Sequence, residues 1–248
     1  NSGNAYASRG AAYFLSGDDA KAIADLDKAI TLDPKIACAY ANRGVAYLQQ
    51  GDVNQAFVDF NRAIALEPNN AVAYVGRADA YSNSGDYDHA IPDYEKGIAL
   101  GSNNARTWLH RGLAYFNSGD FARAEIDFWH AIELKDAPYT VFFYYLATSR
   151  TGDAGRTRFY VDPKRLKNRE WPYPVAELFS GERTPEATLE AAANAGQKCE
   201  AQFYVGEWRL MKDERREAKS LLESAVAECP KGFVEYDAAV SELKRLKQ

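Results

Sequence analysis

The sequence predicts an all-α fold. It reads as a solenoid of antiparallel helical hairpins with an irregular helical insertion, a degenerate hairpin and a C-terminal capping helix. Three observations carry this expectation. The stretch RGAAYFLSGDDAKAIADLDKAI, starting at Arg9, returns at 34-residue steps as RGVAYLQQGDVNQAFVDFNRAI, RADAYSNSGDYDHAIPDYEKGI and RGLAYFNSGDFARAEIDFWHAI. Within each copy, apolar and small residues recur at three- and four-residue steps, the spacing of one helix face. Each copy is also divided by a Gly-Asp pair, at Gly17, Gly51, Gly85 and Gly119 with the Asp that follows.

The Gly-Asp pair predicts how each hairpin is made. Gly can end a helix in the left-handed conformation, and the Asp accepts from the free N–H groups of the next first turn. Pro34 and Pro68 end the second helix of the first two copies, because proline cannot continue it. Small residues mark close helix contacts: Gly10, Gly44, Ala78 and Gly112 in the first helices, and Ala22, Ala56, Ala90 and Ala124 in the second. Tyr13, Tyr47, Tyr81 and Tyr115 coincide, as do Tyr6, Tyr40, Tyr74 and Trp108. Arg9, Arg43, Arg77 and Arg111 each precede an Asp (Asp25, Asp59, Asp93, Asp127) by sixteen residues. This predicts a ladder of ion pairs inside or between hairpins; an anion-binding face is the second reading. In the third copy Pro92 falls inside the second helix and Gly101-Ser102 replaces the closing turn, which predicts a kink or soft point.

This pattern resembles the tetratricopeptide repeat family. Length, Gly, Tyr, Ala and Pro all fall in register over residues 3–138, as repeats 3–36, 37–70, 71–104 and 105–138. The period then fades. Residues 139–198 are expected to hold a degenerate repeat and an irregular helical segment. They include a first helix at Tyr139–Asp153 and a short helix at Pro174–Phe179. A further helix is expected to be capped by Thr184, with Pro185 first, and to end at Gly196. Residues 199–248 read as a degenerate repeat plus a capping helix from Phe233 to Leu246. That helix is expected to bury Phe233, Tyr236, Val240 and Leu243 and to turn Glu235, Asp237, Glu242, Lys244 and Lys247 to water. Cys199 and Cys229 stand at the two ends of the last hairpin, which lie side by side, so a disulfide is geometrically reasonable; two reduced thiols are the alternative. Cys38 is expected to be unpaired.

Charge narrows the class. The chain of 248 residues has a net charge of −5, which does not suggest a nucleic-acid binder. Residues 1–138 hold twelve basic and eighteen acidic residues, and the remainder eighteen and seventeen. Positive charge gathers in an irregular patch at Arg156, Arg158, Lys164, Arg165, Lys167 and Arg169. It suits an anionic polymer, lipid headgroups or an acidic protein face, or is simply a solvated segment. No run of eighteen apolar residues is present, so membrane contact is expected only through an anchor outside this chain. The chain starts Asn1-Ser2-Gly3, and a processed or partial form is expected.

No catalytic, metal or cofactor site is expected. The three histidines, His89, His110 and His130, lack partners at metal-ligand spacing, and no phosphate loop, nucleophile elbow or dinucleotide fingerprint occurs. The resemblance implies instead a non-enzymatic scaffold that binds a peptide or partner helix on the inner face lined by the first helices. Counted from the family's pattern, that face receives Phe14, Asn42, Val45, Leu48, Gln49, Asp79, Asn83, Arg106, Leu109, His110, Leu113, Phe116 and Asn117. Ala7 and Ala11 stand where carboxylate-clamping members carry Lys or Arg. The alternative is a self-assembling module whose groove holds a second copy. The second half resembles bacterial envelope lipoproteins of this family that act as adaptors for cell-wall hydrolases and proteases. That implies a periplasmic or outer-membrane-associated setting, with the cytoplasm as the alternative.

Overall fold

The computed structural model describes residues 2–135, 137–153, 161–166 and 169–247. Among these, all regular structure is helical, and no helix is long and apolar enough to cross a membrane. The chain divides into two compact units, Asn1–Asn103 and Asn104–Gln248.

The first unit is three hairpins: α1 (Gly3–Leu15) with α2 (Asp19–Leu32), α3 (Ala37–Gln49) with α4 (Val53–Leu66), and α5 (Ala71–Asn83) with α6 (Tyr87–Ala99). The second helix of one hairpin packs on the first helix of the next, α2 on α3 and α4 on α5. The first helices α1, α3 and α5 are also neighbours. The caps form as the sequence predicts. Gly17 has φ of +81°, and the side chains of Asp18, Asp52 and Asp86 accept from the backbone N–H of Lys21, Gln55 and His89. Close approach explains the helical glycines. A Cβ on Gly44 would come within 2.8 Å of the Phe60 ring, which is fully buried between α3 and α5. Burying a ring of that size stabilises by about 2–3 kcal/mol.

Pro92 lies inside α6, yet the helix runs unbroken from Tyr87 to Ala99. Its ring is on the exposed side, while Ala90, Asp93, Tyr94 and Gly97 keep the buried stripe. The departure falls after the helix: Gly101 takes φ of +98°, and the division between units follows Asn103.

The second unit starts with a hairpin of α7 (Ala105–Ser118) and α8 (Phe121–Leu134), followed by α9 (Pro138–Thr151). A 3-10 turn (Pro163–Arg165) and α10 (Tyr173–Ser180), α11 (Pro185–Glu190), α12 (Ala195–Met211), α13 (Arg215–Glu228) and α14 (Val234–Arg245) complete it. α9 packs on α8, α12 on α13, and α14 on α13, α12 and α7. The core is aromatic. Phe142 meets Phe179 and Tyr204 at ring-centre distances of 5.8 and 5.5 Å, and Phe143 meets Phe116 and Phe203 at 5.4 and 5.8 Å.

Several expectations need correction here. The helix capped by Thr184 ends at Glu190, and Gly196 is not its terminus but the second residue of α12, which Asn194 caps. Cys199 therefore sits in the first turns of α12 rather than at its start. Its sulfur is bonded to Cys229, with the Cα atoms 4.9 Å apart, and Cys38 is free and exposed. On α14 Lys244 and Lys247 face water as expected, but the two glutamates do not. Glu235 and Glu242 are buried together with Ala238, Ala239 and Ser241, while Phe233, Tyr236, Val240 and Leu243 are half-buried. The alanines allow close packing on α12 and α13, and partners for both carboxylates wait on the neighbouring helices.

Candidate functional site

The ladder is built from two planar groups. Arg43 meets Asp59 with Nε and Nη2 at 2.8 Å each, and Arg77 meets Asp93 at 2.6 and 2.8 Å. The same fork joins Arg9 to Asp25 and Arg111 to Asp127. The third nitrogen reaches back to the preceding hairpin. Nη1 of Arg43 donates to Asp27 at 2.5 Å, and Nη1 of Arg77 donates to Asn61 at 2.7 Å. Each guanidinium also lies over a ring, Arg43 over Tyr40 and Arg77 over Tyr74. The arginine face is thus occupied by its own acids, and the hydrogen bond from Arg9 holds the Asp25 carboxyl below its ordinary value. This geometry locks hairpin to hairpin and leaves little capacity for a free anion.

In the first unit the face expected to line the groove is carried by α1, α3 and α5, which are neighbours. Phe14, Val45 and Leu48 are half-buried, each packed on the core with part of its side chain accessible. Asn42 is half-buried beside them, and Gln49 and Asn83 are exposed. Asp79, by contrast, is buried and accepts from the Tyr94 hydroxyl at 2.6 Å. It organises α5 against α6 and is not available to a ligand.

In the second unit, Arg106 is exposed and Leu109 and His110 are half-buried. Leu113, Phe116 and Asn117 are buried, Phe116 completely. The expected groove anchor Phe116 is a core residue, set edge-on to Phe121 and Phe143. The chain's own C-terminal helix covers this end of α7. Arg245 of α14 donates from Nη1 to the Asn117 carbonyl at 2.9 Å and lies 5.3 Å above the Phe121 ring.

That docking is held by a buried charge cluster with no signal in sequence spacing. Arg150 of α9 pairs with Glu207 of α12 at 2.7 Å and Glu242 of α14 at 3.2 Å, and Arg245 pairs with Glu242 at 2.6 Å. Both glutamates are buried. Burial first, then the Glu242 charge, pushes the Glu207 carboxyl upward, and Arg150 opposes this. Beside it Tyr204 donates to Glu235 at 2.8 Å, while Tyr139 and Trp171 donate to Glu200 at 2.8 and 2.6 Å.

In the expected basic patch, Lys164, Arg165 and Arg169 are exposed, and Arg156, Arg158 and Lys167 lie outside the described residues. A cleft of about 670 Å³ between α9, α10 and α12 is lined by Tyr145, Arg150, Phe179, Trp208, Met211 and Lys212 among others, with no carboxylate, His or Cys. Among the described residues no three His, Cys, Asp or Glu side chains gather to hold a metal.

Profiles of the tetratricopeptide repeat match residues 37–70, 60–91 and 105–138, and a TPR repeat profile matches 10–51 and 78–119. The chain belongs to the tetratricopeptide repeat family through residues 10–138. Proteins of this family are generally interaction modules that bind peptides or proteins, without catalysis of their own. No curated protein matches in sequence. Solved structures share the fold. A tetratricopeptide repeat protein from Parabacteroides merdae is 16% identical with a TM-score of 0.62, over 99% of both chains. Pseudomonas aeruginosa pilF is 18% identical with a TM-score of 0.60, over 97% of both. YrrB, described as a TPR protein with an unusual peptide-binding site, is 18% identical with a TM-score of 0.55, over 86% of this chain and 96% of that one.

Proposed function

We propose that this protein is a non-enzymatic adaptor of a bacterial envelope that binds an extended peptide or a partner helix on the inner face of its first unit. The observation that carries the reading is the contrast between the two inner faces. On α1, α3 and α5, the apolar Phe14, Val45 and Leu48 stay partly accessible beside Asn42, Gln49 and Asn83. On α7, the corresponding end is covered by α14. Apolar anchors would give affinity, and the amides would meet the backbone groups of an extended ligand. The Cys199–Cys229 disulfide supports an oxidising compartment, because disulfides persist outside the reducing cytosol.

Selection from a displayed random-peptide library tests the binding face. Wild-type protein enriches a defined peptide set, and Leu48→Glu, at a half-exposed site, loses it while its melting temperature holds. Equal enrichment by Leu48→Glu rejects the face. Thiol titration in denaturant tests the compartment. One reactive thiol, from Cys38, is expected in protein isolated from its native cell, and three would reject the envelope setting.

A further inference from the structure

We propose that the turn edge of the first unit's inner face binds a partner-protein helix with a basic last turn, whose arginine meets the open carbonyls that close α3 and α5. The inference rests on the inner-face reading above and names the chemistry that this face takes. The chain supplies its own precedent. At the end of α7, Arg245 in the last turn of α14 donates from Nη1 to the Asn117 carbonyl at 2.9 Å and reaches that of Phe116 at 3.4 Å. Its guanidinium lies 5.3 Å from the centre of the Phe121 ring. By repeat count the Asn117 carbonyl corresponds to those of Gln49 on α3 and Asn83 on α5. Both residues are exposed, and among the described residues no backbone N–H meets either carbonyl. Tyr87 stands where Phe121 stands, so a ring is present beside the end of α5 as well.

Charge points the same way. A helix carries partial negative charge at its C-terminus, and the neighbours α3 and α5 both end at this edge. Asp52, in the turn after α3, is exposed and accepts only from the Gln55 N–H, with no cation on it among the described residues. Asp86, in the turn after α5, meets His89. The arginines of these helices do not offset the charge, because Arg43 and Arg77 are spent on Asp59 and Asp93. Residues 1–103 hold eight basic and thirteen acidic residues, and the remainder twenty-two of each. The first unit therefore carries the whole net charge of the chain. Val45 and Leu48, just inside the edge, stay partly accessible to the apolar side of the incoming helix. A helix with an acidic last turn would be repelled here.

The probe is a dye-labelled synthetic peptide of residues 233–247, the sequence of α14, titrated into the full chain and followed by fluorescence anisotropy. A peptide this short is only partly helical, so saturable binding is expected with a dissociation constant on the order of 100 μM. The same peptide carrying Arg245→Gln is expected to bind the unaltered protein about tenfold more weakly. Asp52→Asn in the protein keeps the helix cap and removes the charge, and is expected to weaken the original peptide about threefold. Leu48→Ser removes an apolar contact without adding charge and is expected to weaken it about fivefold. Circular dichroism checks that both variants are folded, and the comparison of the two peptides needs neither. Binding that falls in Leu48→Ser but is equal for both peptides and in Asp52→Asn overturns this inference and leaves the inner-face reading standing. Binding that Leu48→Ser does not change places the peptide elsewhere, as in exchange with α14 on α7, and overturns the inference. So does the lack of saturation up to about 1 mM. Sedimentation showing a dimer that the peptide dissociates would assign the edge to a second copy and overturn the partner helix.

Discussion

Glu235 shows how burial writes a pH dependence into single residues. The residue is 3% exposed, and burial, helped by the charge of Glu200, lifts its carboxyl from 4.5 to about 7. The Tyr204 hydroxyl, the bond to Glu235, and Tyr139 and Trp171 on Glu200 complete its surroundings. Between 4.5 and 7 the folded state holds more protons than the unfolded chain. The contribution of Glu235 is thus fully present below pH 4.5 and is lost as pH rises to 7. Glu207 acts with the same sign. Glu235→Gln keeps an acceptor for Tyr204 and removes the charge. It is expected to match wild type near pH 4.5 and to be roughly 1–3 kcal/mol more stable at pH 8, read from urea midpoints. Parallel curves would contradict the assignment. Arg150→Met leaves Glu207 and Glu242 buried together without their shared cation, and a loss of about 3–5 kcal/mol is expected at pH 8. A much smaller loss at pH 5, where the Glu207 carboxyl is protonated, distinguishes this cause from lost packing.

At the level of elements, caps and covalent staples dominate. Asp52 satisfies the Gln55 N–H at the start of α4, and Asp52→Ala is expected to lower stability by about 1 kcal/mol. Reducing Cys199–Cys229 opens a loop of 30 residues and is expected to lower stability by about 2–4 kcal/mol. The hairpins of the four repeats and their caps could be read from spacing, because they depend on neighbours within one hairpin, and the same reasoning made this pairing reasonable beside the alternative of two thiols. The faces of α14 could not. Its apolar pattern named Phe233, Tyr236, Val240 and Leu243, while the structure buries Glu235 and Glu242. Partners for those acids come from Arg150 and Tyr204, residues 92 and 31 positions away, and no local rule joins them. Arg209 likewise finds its partners in the fold: it pairs with Glu186 on α11 and with Glu214.

The whole molecule offers a direct probe of its two units. All four tryptophans, Trp108, Trp129, Trp171 and Trp208, lie in the second. Tryptophan fluorescence therefore reports that unit alone, whereas helical circular dichroism reports both. Repeat arrays whose cooperativity is incomplete do not unfold as one. Different urea midpoints from the two signals are expected, and a reductant should shift the fluorescence midpoint while leaving the early part of the dichroism curve in place. Coincident midpoints that move together on reduction would show a single cooperative block.

By itself the sequence determined the repeated hairpins, their glycine and aspartate punctuation and the arginine–aspartate register, since each follows from a 34-residue period acting through contacts between adjacent helices. Only the tertiary structure decided which inner face stays accessible. Phe116 and Asn117 occupy groove positions by repeat count, but α14, more than a hundred residues later, lies over them through Arg245. Burial is a property of what arrives from elsewhere in the chain, and a periodic pattern carries no record of that arrival.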